Sequence, residues 1–188
     1  AANDSKPGAN EPDAVFNYAT LDTSVLGCIV ERVTGRTGAE YMSEKLWQPM
    51  GAQYDAYWIM DGPDDVGREF FGAGFASTAR DHARFGQMFL HKGAYNGQQI
   101  VPAAWVAEST VASANTEPGK IGYGYQWWVP IGATEGEYLG RGIYGQYVYV
   151  NQPLGVVIAS NAADRGFREP GAHESNVAMF RAIAAAAQ

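Results

Sequence analysis

The chain has 188 residues, of which 46% are hydrophobic and only 18% are charged, so it can bury a sizeable core. Its net charge of −7, with no run of lysine or arginine, argues against a nucleic-acid-binding surface or a basic membrane-surface helix. No segment approaches the roughly 20 apolar residues of a membrane-spanning helix, so no membrane span is expected. Residues 1–14 are polar and contain two prolines, which predicts a linker or extended arm.

Residues 15–115 are predicted to be mostly helical. Apolar residues at helical spacing predict a first helix over about 22–34, which Gly35 ends. These apolar residues, and the only cysteine, Cys28, are expected to face a core. The apolar set consists of Val25, Leu26, Ile29, Val30 and Val33.

Two further helix starts carry the spacing of a capping box. Thr37 and Glu40 predict a second helix over about 38–47. Thr78 and Asp81 repeat the pattern at the start of a third helix, which extends to about residue 91.

Residues 116–188 are predicted to form an antiparallel sheet and a closing helix. Aromatic or β-branched segments bounded by turn residues predict strands at 123–129, 144–150 and 155–160. The last helix, over about 174–187, should cover one face of the sheet. This order of elements predicts an α+β fold.

Generic motifs give no nucleotide or metal site. Residues 140–145 match G-x-G-x-x-G, but a strand is predicted after them, whereas a dinucleotide site requires a helix there. The three histidines are widely separated and one cysteine cannot form a thiolate site, so neither a metal nor another cofactor is predicted. No serine lies in G-x-S-x-G, and none is followed three residues later by lysine.

Five segments occur in the order of the motifs of one hydrolase family. They are FNYAT at 16–20, LWQPMG at 46–51, GFASTARD at 74–81, NGQQIVPAAW at 96–105 and GQYV at 145–148. The chain resembles the serine hydrolases of the β-lactamase and penicillin-binding-protein family, in particular the class C β-lactamase and esterase branch with the 6-aminohexanoate-dimer hydrolases. The resemblance implies a β-lactamase/transpeptidase-like α+β fold, incomplete in this chain, in which an antiparallel sheet with covering helices lies beside a mostly helical subdomain.

The resemblance also implies a bacterial serine hydrolase, cytoplasmic or periplasmic, that cleaves amides or esters through an acyl-enzyme. Its small-molecule substrates would be linear amides such as 6-aminohexanoate oligomers, or short esters. The Ser-x-x-Lys nucleophile element of the family has no counterpart here. The expected partner is therefore an N-terminal half of the same protein that carries Ser-x-x-Lys, and the chain alone is expected to be inactive. A sheet lacking strands would pair with that half or with a second copy. The alternative is a non-catalytic fragment or binding module of the same fold.

By the same resemblance, Tyr18 corresponds to the tyrosine that transfers protons in catalysis. A phenol ordinarily ionises near pH 10, and a nearby ammonium favours the ionised form. A structural tyrosine near a helix start is the alternative.

The loop at 140–145 corresponds to the third catalytic element of the family. It lacks Lys-Thr-Gly, which argues against β-lactam hydrolysis. The backbone N–H of Ile143 is expected to complete the oxyanion hole, and Gly142 to permit close backbone approach. Tyr144, Gln146 and His173 are expected to line the substrate site. A plain glycine turn, a solvent-facing glutamine and a helix-capping histidine are the alternatives.

Overall fold

A computed structural model describes residue 11, residues 14–63 and residues 66–188. The predicted arm at residues 1–14 therefore falls outside the described residues, apart from Glu11 and Ala14. The helices in the described part are α1 (Thr20–Thr34), α2 (Gly38–Met42), α3 (Ala79–Leu90), α4 (Ala103–Ser109) and α5 (Ala172–Ala186). None of these helices is both long and apolar enough to cross a bilayer.

Local hydrogen bonding sets the ends of the first two helices. Gly35 takes a left-handed conformation (φ 68°), and its N–H donates to the Glu31 carbonyl at 2.8 Å, which ends α1 as predicted. Thr37 and Glu40 form the predicted capping box at the start of α2. One π-helical turn, Ser43–Trp47, continues α2, so the two together cover the predicted second helix.

The third helix is the one that packs on the sheet. The Thr78 hydroxyl accepts a hydrogen bond from the Asp81 N–H at 3.1 Å and caps α3, as predicted. Gly86 permits close packing, because a Cβ at this position would lie 2.5 Å from a methyl carbon of Val157 and 3.0 Å from one of Val148. A larger residue would push α3 away from the sheet.

The sheet is antiparallel with the strand order β5-β6-β7-β8-β9. Its long pair, β7 with β8, is in register from Glu137 opposite Asn151 to Arg141 opposite Tyr147. The strands are β5 (Gly122–Tyr123), β6 (Trp128–Val129), β7 (Glu137–Arg141), β8 (Tyr147–Asn151) and β9 (Val156–Ser160). Two small hairpins precede them: β1 (Tyr57–Trp58) with β2 (Phe75–Ala76), and β3 (Ala94–Tyr95) with β4 (Gln98–Gln99).

The sheet confirms the predicted antiparallel α+β architecture, but some strand boundaries were wrong. The strand predicted over 123–129 is two short strands joined by a turn in which Gln126 has a φ of 66°. The strand β7 was not predicted. The strand predicted from residue 144 begins at Tyr147, because residues 143–145 form a 3₁₀ turn.

Each face of the sheet carries a hydrophobic cluster. Residues of α3 meet one face, and residues of α5 meet the other. The neighbours Trp127 and Trp128 point to opposite faces, as the alternation of a strand requires. The α3 cluster consists of Met88, Phe89, Val106, Trp127, Tyr138 and Val150, and the α5 cluster of Leu139, Tyr147, Tyr149, Val177, Phe180 and Ala184.

The prediction that the apolar stripe of α1 faces a core was wrong for the described residues. The helix packs through a different face, on which Gly27 lies against the ring of Phe71. Cys28 is exposed, and so is the whole predicted apolar set. The exposed fractions are 50% for Val25, 52% for Leu26, 51% for Ile29, 37% for Val30 and 79% for Val33.

Candidate functional site

Four of the predicted site residues lie in one turn between β7 and β8. The Gly142 N–H donates to the Gln146 carbonyl at 2.8 Å and closes the turn. Tyr144 inside it has left-handed backbone angles (φ 57°, ψ 26°), which are unfavourable for a residue with a bulky side chain. Strained backbone of this kind is concentrated at functional sites.

The segment after β9 holds the turn in place. The side-chain amide of Gln146 donates to the Ala162 carbonyl and accepts from the Ala162 N–H at 3.3 Å. The Asp164 N–H donates to the Tyr144 carbonyl at 3.1 Å, and the Tyr144 ring packs on Phe167 at 5.1 Å between ring centroids. Gln146 therefore positions the turn, in addition to any contact with a substrate.

The residues at the centre of the turn are exposed. Ile143 is 53% exposed, and its N–H donates none of the hydrogen bonds that close or anchor the turn. Gly142 is also exposed, and a Cβ on it would come within 2.9 Å of the Gln146 Cβ. An amide in this arrangement can donate to an oxygen atom of a bound molecule.

His173 lies beside the same end of the sheet, at the start of α5. Its Nδ1 is 3.3 Å from the Tyr147 hydroxyl, and the two rings stack with centroids 6.0 Å apart. Burial, and then the positive charge of Arg141, lower the pKa of His173 below its ordinary value, so the ring is neutral at pH 7. The N-cap position of α5 is Gly171, and His173 lies in the first turn of the helix.

Tyr18 lies away from this turn, on the hairpin of β5 and β6. The Phe16 N–H donates to the Asn115 carbonyl at 3.0 Å and ties the segment before α1 to the chain entering β5. The Tyr18 ring packs on Trp128 at 5.1 Å and on Tyr123 at 5.9 Å. Burial, and then Tyr18, raise the pKa of Tyr123 to about 12, so Tyr123 stays a neutral hydroxyl.

Sheet register gives a measure of the separation between Tyr18 and the turn. Trp128 pairs with Leu139, and Ile143 follows Leu139 by four residues, roughly 13 Å along a strand. Among the described residues, no ring contact or hydrogen bond joins Tyr18 to the turn. The joint action of Tyr18 and Ile143 stays a prediction.

The sequence did not indicate Arg141 and Phe167, which border the same region. Arg141 ends the strand that was not predicted, and Phe167 lies in a segment without regular structure. With His173 they line a cavity of about 630 Å³ on the face of the sheet covered by α5. Within the described residues, no three His, Cys, Asp or Glu side chains come close enough together to hold a metal ion.

The chain is similar to proteins of known name and structure over most of its length. The 6-aminohexanoate-dimer hydrolase of Paenarthrobacter ureafaciens is 37% identical over 153 residues, which are 76% of this chain and 38% of that protein. A Bacillus anthracis structure, described as that of a candidate 6-aminohexanoate-dimer hydrolase, has a TM-score of 0.83 and 32% identity over 95% of this chain and 46% of its own. The octameric penicillin-binding protein homologue from Pyrococcus abyssi, at 19% identity, shares the fold with a TM-score of 0.66 over 93% of this chain and 44% of its own.

The chain thus spans less than half the length of these relatives. The sequence model of the Beta-lactamase family matches residues 4–178, which is most of the chain. The chain belongs to the β-lactamase family, whose fold it carries and whose relatives include serine hydrolases of the 6-aminohexanoate-dimer type.

Proposed function

We propose that this chain supplies the oxyanion donor and the proton-transferring tyrosine of a serine hydrolase, and that polypeptide outside this sequence supplies the Ser-x-x-Lys nucleophile. One observation carries the proposal: the exposed residue Ile143 lies in a strained turn after β7, in a chain 37% identical to a 6-aminohexanoate-dimer hydrolase. A chain without its own marked nucleophile would be inactive alone.

The reaction would proceed in two stages. The serine hydroxyl adds to the substrate carbonyl carbon, and the negative charge that develops on the carbonyl oxygen accepts a hydrogen bond from the Ile143 N–H. The carbon–nitrogen or carbon–oxygen bond then breaks and leaves an acyl-serine ester. Water adds to this ester and releases the acid. A single oxyanion donor typically accounts for about 10²- to 10³-fold in turnover.

Tyr18 would carry the proton from the serine hydroxyl to the leaving group. The lysine ammonium of the missing element would favour the ionised phenol. The exposed position of Tyr18 supports this role, because 53% of its surface stays open to a further part of the protein. Such proton transfer contributes about 10²- to 10⁴-fold.

The proposed substrates are linear amides of the 6-aminohexanoate type or short esters. The identity to a hydrolase of that name supports this class. Tyr144 and the neutral His173 offer an exposed aromatic ring and an uncharged imidazole beside the turn, which suits an uncharged amide.

The proposed partner is the rest of the same protein, which would cover the apolar stripe of α1. That stripe is exposed in the described structure, and β9 is an edge strand whose second side is open. This chain covers 38% and 46% of the lengths of two relatives. The remainder of a protein of that length would be long enough to cover both surfaces. Association with a second copy is the other arrangement that would cover them.

The first prediction concerns Tyr18. In the full-length protein we expect a fluorophosphonate probe to phosphonylate a serine outside this sequence with loss of fluoride, and Tyr18→Phe to lower the rate of this labelling by about 100-fold or more. The matched control is Tyr57→Phe, another exposed tyrosine, which should keep the wild-type rate. An unchanged rate in Tyr18→Phe would remove Tyr18 from the mechanism. The absence of any adduct would favour a binding module.

The second prediction concerns the turn. Gly142→Ala forces a Cβ to within 2.9 Å of Gln146 and should displace the Ile143 amide, with kcat falling by about 100-fold and KM changing little. Gly140→Ala is the control, because its Cβ would meet nothing closer than 3.9 Å. Ester hydrolysis by the full-length variants measures both constants. Equal activity of the two variants would contradict the assignment.

A further inference from the structure

We infer that the cavity behind β7 binds an aliphatic carboxylate, with its carboxylate at Arg141 and Arg168 and its methylene chain along α5. The inference does not depend on the proposed function. Of the predicted site residues only His173 lines this cavity, while Tyr18, Gly142, Ile143, Tyr144 and Gln146 do not. It is therefore a site apart from the proposed oxyanion turn.

Charge is the first argument. The chain carries a net charge of −7, yet Lys120, Arg141 and Arg168 all line this cavity. None of the ion pairs found among the described residues involves these three side chains. A local concentration of positive charge in an acidic chain attracts an anion.

The fourth cation of the cavity is already neutralised. Arg181 donates to the buried carboxylate of Glu137, with Nε 2.7 Å from Oε1 and Nη2 3.1 Å from Oε2. Arg181 thus forms part of the wall, and anion binding is left to the other three. Two acidic residues, Glu169 and Glu174, also line the cavity, so Lys120, Arg141 and Arg168 leave a local excess of positive charge.

The walls of the cavity are the second argument. The apolar side chains that line it include Ile121, Pro130, Ile131, Phe167 and Val177. A volume of about 630 Å³ falls within the range of sites that enclose small molecules. A fully hydrated inorganic anion would leave these walls without contacts, whereas a methylene chain would cover them.

The orientation of the bound carboxylate follows from the positions of Arg141 and Arg168. Arg141 is at the end of β7 next to Tyr147, and the Arg168 guanidinium lies 5.0 Å from the centroid of the Phe167 ring. Both are at the end of the cavity near the strained turn, because Phe167 packs on Tyr144. Ile131 follows β6 and Val177 lies within α5, beyond His173, so the chain of the ligand would extend away from the turn.

The test measures binding of octanoate to the full-length protein by NMR titration, with octanamide as the uncharged analogue. We expect octanoate to bind at least tenfold more tightly than octanamide, and affinity to rise about threefold to fourfold per methylene from butanoate to octanoate. Arg141→Gln and Arg168→Gln should each weaken octanoate binding by about fivefold or more and leave octanamide unaffected. Arg165→Gln is the control, because this exposed arginine of the same segment does not line the cavity.

Two binding results would overturn the inference: equal affinity for octanoate and octanamide, or unchanged octanoate binding in both variants while their spectra show the native fold. Inhibition of hydrolysis is measured separately. Binding of octanoate without competition against the ester substrate would support a cavity apart from the oxyanion turn, whereas competitive inhibition would show that octanoate occupies the proposed active site and would overturn the inference.

Discussion

Asp81 is fully buried and joins the start of α3 to the segment at Gln53. Its carboxylate accepts hydrogen bonds from the Gln53 N–H at 2.9 Å, the Thr78 hydroxyl at 2.8 Å and Arg84 at 2.7 Å. Burial alone would raise its pKa, but these hydrogen bonds outweigh burial and lower the pKa below its ordinary value. The charged form therefore stabilises the folded state.

The third prediction follows from this carboxylate. A depressed pKa in the folded state contributes stability above the unfolded pKa of about 3.9, and this contribution is lost as pH falls through the folded value. Asp81→Asn should cost about 3 kcal/mol in the free energy of unfolding at pH 7, because Arg84 loses its charged partner. The difference from wild type should shrink below about pH 4.

Urea unfolding at pH 7 and pH 3 checks this prediction in the full-length protein. Arg80→Gln, an exposed change on the same helix, should stay within about 0.5 kcal/mol of wild type at both values. A loss for Asp81→Asn that is the same at both pH values would refute the electrostatic explanation.

A second buried carboxylate organises the face of the sheet covered by α5. Glu137 accepts from the Tyr149 hydroxyl at 2.9 Å as well as from Arg181, and Asn151 donates to that hydroxyl at 3.1 Å. The network fixes Arg181 as a wall of the cavity and connects α5 to β7 and β8. Burial is the main cause that raises the pKa of Tyr149, which keeps this phenol a donor.

At the scale of elements, the sequence predicted best what local hydrogen bonds decide. The capping box at Thr37, the cap at Thr78 and the left-handed Gly35 depend on atoms within a few residues, so their spacing was informative. The helix predictions therefore needed few corrections.

Strands depended on contacts that the sequence does not display. The segment Glu-Tyr-Leu-Gly-Arg of β7 has no β-branched residue, and only its pairing with β8 over five residues makes it a strand. Tyr144 adopts a left-handed conformation that normally marks glycine or asparagine, so the strand predicted from residue 144 started three residues too early. The cavity was not predicted because Arg141, Phe167 and His173 are brought together only by the fold.

For the candidate site, the sequence predicted which residues lie together in the turn, but not which residues hold the turn in place. Gly142, Ile143, Tyr144 and Gln146 are neighbours in the chain, and one turn accounts for their proximity. The partner of Gln146, Ala162, is 16 residues away and follows a different strand, so it carried no recognisable signal.

At the scale of the whole molecule, the main feature is the exposed apolar face of α1. Several exposed apolar side chains lie together on this helix, whereas the exposed apolar side chains of a monomer are usually scattered singly. The fourth prediction is that, in the full-length protein, Ile29→Glu lowers the free energy of unfolding by about 2–4 kcal/mol, because a carboxylate would be buried against the proposed further part of the protein.

Val111→Glu provides the matched control. Val111 and Ile29 are both 51% exposed in the described structure, but Val111 lies outside α1. We expect Val111→Glu to change stability by less than about 0.5 kcal/mol in urea unfolding. Equal and small effects of the two substitutions would show that the stripe stays in water.

The hydrogen bonds between Gln146 and Ala162 join the turn to the end of β9 at one end of the sheet. Ala162 lies two residues beyond the last residue of β9, so a strand that paired with the open side of β9 and shifted its end would also bias the conformation of the turn at Tyr144. Thermodynamic reciprocity then requires that whatever occupies the turn strengthens the pairing at the sheet edge by the same factor. The same coupling free energy would then change both the stability of the assembly and the affinity for the ligand.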